Sequence, residues 1–320
     1  MRALAWFCAW WLWERRKVRG VIVVAGVTNV QFSVPVEGFP LEYAPVRYPQ
    51  GKTGVSVGGV GFNVAAGLAA LGDEVRLATF AGGDLLGGAV AGKLRTRGLD
   101  GPWVAGGQET PRSVVLHEPG GERMIHTDLR GLPEAVYPAG VFADAVRGAA
   151  YAVVTNIGFA RPLLGIARAA GVPVAADVQA VDDVDDAYNR DWMAAARVLF
   201  CSHERLPVPP AAWVRLVQER YGTPVVVVGC GAAGAVLGVR ETGQIVEVAA
   251  VAPRGVVSTA GAGDALAAAF MHVYAAGGDP CAAIRRAVLF AGWAVGAPPG
   301  GRVFLSGSEL AGMAAAGAGG

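Results

Sequence analysis

The second half of the chain alternates short apolar segments typical of strands with segments of helical periodicity. The predicted order is strand 151–155, helix 162–170, strand 172–176, helix 190–196, strand 197–201, helix 211–221 and strand 224–228. Such alternation is typical of parallel strands, because each crossover between them passes through a helix packed on a face of the sheet. The sequence therefore predicts an α/β fold with a mostly parallel central sheet and helices on both faces.

The first half begins with the same alternation. Val21–Ala25 is a run of apolar, mostly β-branched residues, which indicates a buried strand. Asn63–Leu71 has helical composition and is followed by Gly72, a common helix stop. Val75–Phe80 is predicted as a strand, and Asp84 as the N-cap of a helix that runs to about residue 97.

Two segments of the first half interrupt the alternation. Residues 32–57 contain scattered prolines and short alternating pieces such as Glu42–Tyr48, which suggests a small antiparallel sheet. Residues 113–127 alternate around a Pro-Gly-Gly turn, which indicates a hairpin. We expect the segments 32–57 and 107–128 to pair into a small β-sheet lid over one edge of the domain.

The domain prediction is a single α/β domain at residues 21–310. Residues 1–20 are expected to be an extension outside the core, and residues 311–320, rich in Ala and Gly, a flexible tail. In the extension the apolar run precedes the basic residues, the reverse of a signal peptide. Val225–Val239 lacks charges but is shorter than the roughly 20 residues that span a bilayer, so we expect two strands and no membrane contact.

Charge and cysteine content exclude further classes. The net charge of +1 gives no basic surface for nucleic acid. The four cysteines are widely spaced, with no CxxC pair, so neither a zinc site nor a disulfide framework is expected. Reduced thiols of a cytoplasmic protein are the simplest interpretation. The four histidines form no pair with an evident role, and we expect each to be a surface or lid residue.

A glycine-rich turn, Gly261-Ala262-Gly263, leads to Asp264 and then into an amphipathic helical segment. The first N–H groups of a helix lack backbone partners and can bind phosphate oxygens. Asp264 at this position is suited to take a proton from an attacking hydroxyl. The alternative is that Asp264 only caps the helix, and the turn alone does not decide between them.

A second glycine-rich stretch, Gly58-Gly59-Val60-Gly61-Phe62-Asn63, precedes the first predicted helix of the domain. Paired glycines permit close approach of a ligand to the backbone, and the Asn63 amide can donate to and accept from hydroxyls. A hinge before a helix would look the same.

Taken together, these motifs resemble the PfkB, or ribokinase-like, carbohydrate kinase family. GGVGFNVAAGLAALG resembles its first signature and STAGAGDALAAAF its second, about 200 residues later. Between them, AGGDLLG at 81–87, Gly121-Glu122-Arg123 and VVVVGCGAAGA at 225–235 resemble further family segments. The resemblance extends from residue 21 to about residue 305. It implies a Rossmann-like core of ribokinase fold with a β lid, and a kinase that uses ATP and Mg²⁺ on a sugar or nucleoside.

The resemblance also implies roles for individual residues. Asp264 would be the catalytic base, with Gly261, Ala262 and Gly263 as the anion hole. The acceptor would be bound by Asn29, Gln31, Gly58, Gly59 and Asn63. The nucleotide would lie against Gly229, Gly231 and Gly292, and Glu204 would organise the magnesium. The resemblance allows a homodimer formed through the lid.

The chain departs from the family pattern at several positions. Cys201 replaces the Asn of the Asn-x-x-Glu motif, and Gln31 stands where an Asp usually binds substrate hydroxyls. Ser258 replaces an Asp that supports a monovalent cation in relatives, so potassium activation is uncertain. Gly229 replaces a usual Thr or Ser, and Val60 a common Lys.

Two alternatives to a sugar kinase follow. A nucleoside kinase would need an aromatic slot for the base, for which Phe32, Tyr43, Tyr48 and Phe62 are candidates. A ligand-binding regulator that has lost catalysis would explain the altered Cys201, Gly229 and Ser258. The intact Gly-Ala-Gly-Asp turn argues against it.

Overall fold

The computed structural model describes residues 20–107, 109–119, 122–297 and 303–317. The predicted N-terminal extension up to residue 19, Gly121 of the lid turn and residues 318–320 lie outside the described residues. The strands within these ranges are β1 Val21–Ala25, β2 Asn29–Pro35, β3 Gly54–Gly58, β4 Val75–Gly82, β5 Val104–Gly107, β6 Arg112–His117, β7 Arg123–Asp128, β8 Ala149–Thr155, β9 Val174–Ala180, β10 Ala196–Ser202, β11 Val225–Gly229, β12 Ala235–Val239 and β13 Gln244–Val248.

The α-helices of the described ranges alternate with these strands. They are α1 Val60–Leu71, α2 Leu85–Thr96, α3 Ala139–Val146, α4 Arg161–Ala169, α5 Arg190–Ala195, α6 Pro210–Tyr221, α7 Ala262–Tyr274, α8 Pro280–Ala294 and α9 Gly307–Gly317. None of the helices in the described part of the chain is both long and apolar enough to cross a bilayer.

One large sheet forms the centre of the molecule. Its strand order is β13-β12-β11-β10-β9-β8-β1-β4-β5. The strands from β11 to β5 in this order are parallel, and β12 and β13 add two antiparallel strands at one edge. The predicted fold class is confirmed, and Val225–Val239 forms the expected pair of adjacent strands.

The helices cover both faces of this sheet because its central strands are apolar on both sides. In β1, Ile22 and Val24 pack into the core that contains α1, α2, α7, α8 and α9. Val23 and Ala25 pack into the opposite core, with α3, α4, α5 and α6. The glycine-rich motifs that contain Asn63 and Asp264 thus lead into α1 and α7, two helices on the same face of the main sheet.

The lid is a second, four-stranded sheet of order β3-β2-β6-β7. Two antiparallel pairs, β2–β3 and β6–β7, meet through a parallel pairing of β2 with β6. The parallel junction was not predicted. It arises because β2 and β6 follow β1 and β5, two parallel strands, and so leave the main sheet in the same direction.

Two local predictions were wrong. Glu42–Tyr48 forms no strand, and the chain between β2 and β3 is irregular. Pro40, Pro45 and Pro49 cannot donate to a strand ladder, which explains the difference. The flexible tail expected from residue 311 is replaced by α9, which continues to Gly317 because Leu310 is buried and Met313 packs against the core.

Candidate active site

A cavity of about 2350 Å³ lies between the carboxyl edge of the main sheet and the lid. This is where ligands bind in open α/β sheets. Most of the predicted site residues line it, namely Asn29, Gln31, Gly59, Asn63, Glu204, Gly229, Gly231, Gly261, Ala262, Gly263, Asp264 and Gly292. Gly58 is the exception. Residues that are more than 200 positions apart in the sequence therefore share one cavity.

The turn before α7 has the geometry of an open helix N-terminus. Gly261 is the N-cap residue with φ 78°, in the left-handed region, and no side chain caps the helix. Asp264 is the third residue of α7, and its Oδ2 accepts a hydrogen bond of 2.7 Å from Asn63 Nδ2. The carboxylate of Asp264 is therefore hydrogen-bonded to a side chain of α1. It does not cap the N-terminus of α7.

The surroundings of Asp264 shift its protonation. Burial raises the pKa of this carboxyl to about 6, while the Asn63 hydrogen bond and the charge of Arg123 act in the opposite direction. Arg123 belongs to the lid strand β7, and its guanidinium also donates to Thr259 Oγ1 in the turn before α7. The lid thus contacts the turn before α7 through Arg123, whose positive charge also acts on the Asp264 carboxylate.

A second carboxyl, Asp177 in the middle of β9, was not identified from the sequence. Its residue is 6% exposed, and it lines the cavity. Burial, with a smaller contribution from the charge of Asp264, raises the pKa of Asp177 to about 7. Gln179 has φ 56° and donates its N–H to Asp177 Oδ1 at 2.9 Å. The available sequence signal was an Asp directly after the apolar segment predicted as strand 172–176.

The lid contributes a neutral polar wall. Asn29 Nδ2 donates to Ser113 Oγ at 2.8 Å, and Ser113 Oγ lies 3.0 Å from Thr127 Oγ1. Asn29 is 4% exposed, and its Oδ1 has no hydrogen-bond partner among the described residues. A buried acceptor without a partner is costly, so a ligand hydroxyl would satisfy it. Ser113 and Thr127 were missed because no motif marks them.

Gly58 has an indirect role at this wall. A Cβ on Gly58 would lie 2.6 Å from Cδ of Gln31, so a larger residue would displace that side chain. Gly59 has φ 98°, and a Cβ there would lie 2.5 Å from the Val27 carbonyl oxygen. The paired glycines therefore allow Gln31 and the start of α1 to occupy their positions, and Gly58 does not itself line the cavity.

The opposite end of the cavity is formed by glycines from three elements. Gly229 ends β11, Gly231 begins a 3-10 turn with φ 55°, and Gly292 lies in α8. A Cβ on Gly292 would lie 1.7 Å from the Val251 carbonyl oxygen. A Cβ on Gly229 would make only ordinary contacts. The Thr or Ser that is usual in the family would therefore fit at this position, and the glycine is not required by the packing.

Potential ion ligands are sparse. Glu204 is exposed at the cavity, and Cys201 is buried, with a thiol pKa raised by burial. Cys201 is therefore a neutral core residue. In the described ranges no group of three His, Cys, Asp or Glu side chains could hold a metal. The Ser258 hydroxyl accepts a hydrogen bond from the Ala260 N–H at 3.3 Å and carries no charge.

The aromatic and histidine predictions have mixed outcomes. Of the four residues considered for a base slot, only Phe62 lines the cavity, while Tyr43 and Tyr48 are 92% and 80% exposed. His117 and His126 lie in the lid strands, as predicted. His272 is buried in α7, where Nδ1 lies 2.7 Å from Asp73 Oδ2, so its prediction as a surface residue was wrong.

The sequence of the chain also matches the model of a known protein family. The model described as pfkB family carbohydrate kinase matches residues 20–157 and 166–302. A search among curated proteins finds no significant match.

Solved structures give the same result for the fold. The microbiome-derived acarbose kinase Mak1 is 27% identical, with a TM-score of 0.82 covering 93% of this chain and 99% of that one. Ribokinase of Arabidopsis thaliana, complexed with ribose and ATP, is 20% identical (TM-score 0.74, covering 92% and 99%). A nucleoside kinase of Burkholderia thailandensis in complex with inosine is 16% identical (TM-score 0.72, covering 91% and 95%). The last two are similar at the level of the fold.

Proposed function

Since the chain belongs to the pfkB family of carbohydrate kinases, we propose that it transfers the γ-phosphoryl group of ATP to a hydroxyl of a sugar or sugar-like molecule. The observation that carries this proposal is the position of Asp264. A partly buried carboxylate stands at the open N-terminus of a helix, inside a cavity with a polar wall at one end and glycines at the other.

The reaction would proceed by direct transfer. The acceptor hydroxyl gives its proton to the Asp264 carboxylate while its oxygen attacks the γ-phosphorus, and ADP leaves. Asn63 holds Oδ2 at 2.7 Å, which leaves the other carboxylate oxygen to receive the proton. The backbone N–H groups of the Gly261–Gly263 turn, at the positive end of α7, stabilise the charge on the transferred group.

The lid wall would bind the acceptor by hydrogen bonds without a carboxylate. Asn29 Oδ1 lacks a protein partner and would accept from a hydroxyl, while Gln31 can donate and accept. A wall of neutral amide and hydroxyl groups suits a neutral polyhydroxyl compound. The solved structure at 27% identity is that of an acarbose kinase, which supports a carbohydrate acceptor over a nucleoside.

Magnesium fits the residues present. A nucleotide-bound Mg²⁺ takes most of its ligands from phosphates and water and needs one or two protein carboxylates. Glu204, exposed at the cavity, supplies one, whereas Cys201 is neutral and buried. When bound, the ion neutralises phosphate charge during transfer. Glu204 would orient it, directly or through water, next to the strand end at Ser202.

The regulator alternative is disfavoured by the Asn63–Asp264 contact. A protein that only binds its ligand gains nothing from a carboxylate with a raised pKa beside an open helix terminus, whereas a general base near neutrality does.

The proposal is tested by ADP formation with purified protein, ATP, Mg²⁺ and a panel of monosaccharides, polyols, disaccharides and nucleosides. The expected result is acceptor-dependent ADP release with at least one carbohydrate, and a phosphorylated product of matching mass. Release confined to nucleosides would move the assignment to the nucleoside class. ATP turnover equal with and without every acceptor would refute it.

A further inference from the structure

The lining of the cavity includes an aromatic residue that the proposed mechanism does not use. Tyr188, in the segment between β9 and α5, lines the cavity and is 43% exposed. It is connected to the site by short steps. Thr155 pairs with Asp177, the Asn156 N–H donates to the Asp177 carbonyl at 3.1 Å, and Asn156 contacts Tyr188.

The ring of Tyr188 is held in place by its neighbours. Its hydroxyl donates to the Asn156 carbonyl at 2.9 Å, and its ring stacks on Trp192 with centroids 5.5 Å apart and an angle of 27°. The Arg161 guanidinium lies 5.0 Å from the ring centroid of Tyr188 and 4.5 Å from that of Trp192. Arg161 also donates to the Tyr188 carbonyl at 2.9 Å and to Asp191.

These contacts decide what Tyr188 can offer to a ligand. Its hydroxyl is already used within the protein, so the part left for a ligand is the aromatic ring. A ring fixed before binding loses little conformational freedom when a ligand stacks on it. Exposed, immobilised aromatic rings bind other rings through stacking and apolar contact.

The size of the cavity provides the space for such a ligand. A ligand site commonly has a volume of about 300–1,000 Å³, and the cavity of about 2350 Å³ exceeds two such sites. Leu129, Pro133, Ile157 and Tyr188 are among the residues that line it. The Pro133 carbonyl lies against Gly158, where a Cβ would approach it to 2.2 Å, so the backbone next to Ile157 is closely packed.

We propose that Tyr188 forms a second-ring subsite, so that the preferred acceptor carries another ring linked to the one whose hydroxyl is phosphorylated. The inference rests on the proposed kinase function and specifies its substrate class as an O-linked glycoside such as a disaccharide. A sugar and a nucleobase both present a face to a tyrosine ring, and the experiment separates them.

The test compares pairs of acceptors that share the phosphorylated ring: maltose with glucose, sucrose with fructose, and inosine with ribose. In each pair the ratio of kcat/KM for the two-ring compound to that for the single ring is measured. The wild-type protein is expected to prefer a disaccharide. Tyr188→Ala is expected to reduce that ratio roughly three- to tenfold, the scale of one aromatic contact.

Two further variants separate ring loss from misfolding. Tyr188→Leu keeps apolar packing on Trp192 and loses the aromatic ring, so the ratio should fall as in Tyr188→Ala. Tyr188→Phe keeps the ring and should retain the preference. The inference is overturned if the wild type shows no preference within any pair, or if Tyr188→Ala and Tyr188→Leu leave the preference intact. A preference confined to inosine, lost in both variants, would overturn the assignment to an O-linked glycoside.

Binding measured by calorimetry distinguishes this result from failure of the proposed function. If no acceptor is phosphorylated, the kinase proposal fails, yet tighter binding of a disaccharide than of its monosaccharide, lost in Tyr188→Leu, would still support the subsite. Equal or undetectable affinities for both members of every pair would overturn it.

Discussion

At the scale of single residues, Asp177 is the least expected feature of the site, because it places a second buried carboxyl near Asp264. The pKa of Asp177 is about 7 in the folded state, against an ordinary value of 3.8, so the folded protein disfavours the ionised carboxylate. A raised carboxyl pKa costs stability where the unfolded chain is ionised and the folded one is not. The cost is absent below about pH 4, grows as the pH rises and is complete above about pH 7.

Asp177→Asn is therefore expected to stabilise the protein at pH 8, by on the order of 2–4 kcal/mol. The Asn side chain can still accept from the Gln179 N–H, so the local geometry is kept. Thermal unfolding at pH 8 and at pH 4.5 should show a gain in Tm that shrinks at the lower pH. The exposed Asp100→Asn serves as control. A Tm lowered at pH 8 would mean that Asp177 is a stabilising anion.

Substitution of Gln31 tests acceptor binding more cleanly than substitution of Asn63. Gln31→Ala is expected to raise the acceptor KM by about fivefold or more, since a lost hydrogen bond costs roughly 1 kcal/mol. The KM for ATP should stay unchanged, because Gln31 lies in the lid strand β2, whereas the glycines proposed to contact the nucleotide lie at the end of β11, just after it and in α8. A change in the ATP KM alone would contradict the assignment. Asn63→Ala is less informative, because Asn63 also holds Asp264.

Residues within motifs could be predicted from the sequence, and residues outside motifs could not. The spacing of glycines identified Asp264, Asn63 and Gly59 because turns and helix starts require particular residue types. Ser113 and Thr127 are common residues in an alternating strand, and only the pairing of β2 with β6 and of β6 with β7 brings them beside Asn29. Tertiary pairing of this kind leaves no local signal.

At the scale of elements, most helices and strands could be predicted because their periodicity and their stops agree. Asp84 caps α2 as expected, accepting from the Gly87 N–H at 2.8 Å. Hydrogen bonds from Thr110 lower the Asp84 pKa to about 2, so the turn after β4 is also joined to the chain that leads into β6. That second contact, which anchors the lid, depends on tertiary structure and was not predictable.

The approach of α8 to the Val251 segment gives a test at this scale. Gly292→Ala is expected to destabilise the protein by about 1–3 kcal/mol, because a Cβ would lie 1.7 Å from a backbone oxygen and the helix would have to move. Gly88→Ala, in α2 with nothing within 4 Å, is the matched control and should stabilise by about 0.5–1 kcal/mol. Equal Tm values for the two variants would show that α8 adjusts freely.

At the scale of the whole molecule, the expected magnesium dependence and the weak or absent potassium activation are tested separately. Activity should require Mg²⁺, and Glu204→Gln should raise the Mg²⁺ concentration needed for half-maximal rate, because one carboxylate is lost. Replacing Na⁺ with K⁺ should change the rate little, because Ser258 carries no charge. A large rise with K⁺ would show that backbone carbonyls suffice for a monovalent ion. Dimer formation through the lid stays a prediction.

The central claim, that Asp264 accepts the proton from the acceptor hydroxyl, is tested most directly by the pH dependence of kcat/KM for the wild type and Asp264→Asn. With a carboxyl pKa of about 6, the wild-type rate should rise with pH through about 6 and level off above it, because only the ionised form acts as a base. Asp264→Asn should fold normally, lose at least about a hundredfold in kcat and lose this rise. A folded Asp264→Asn with near-normal turnover and an unchanged profile would contradict the account.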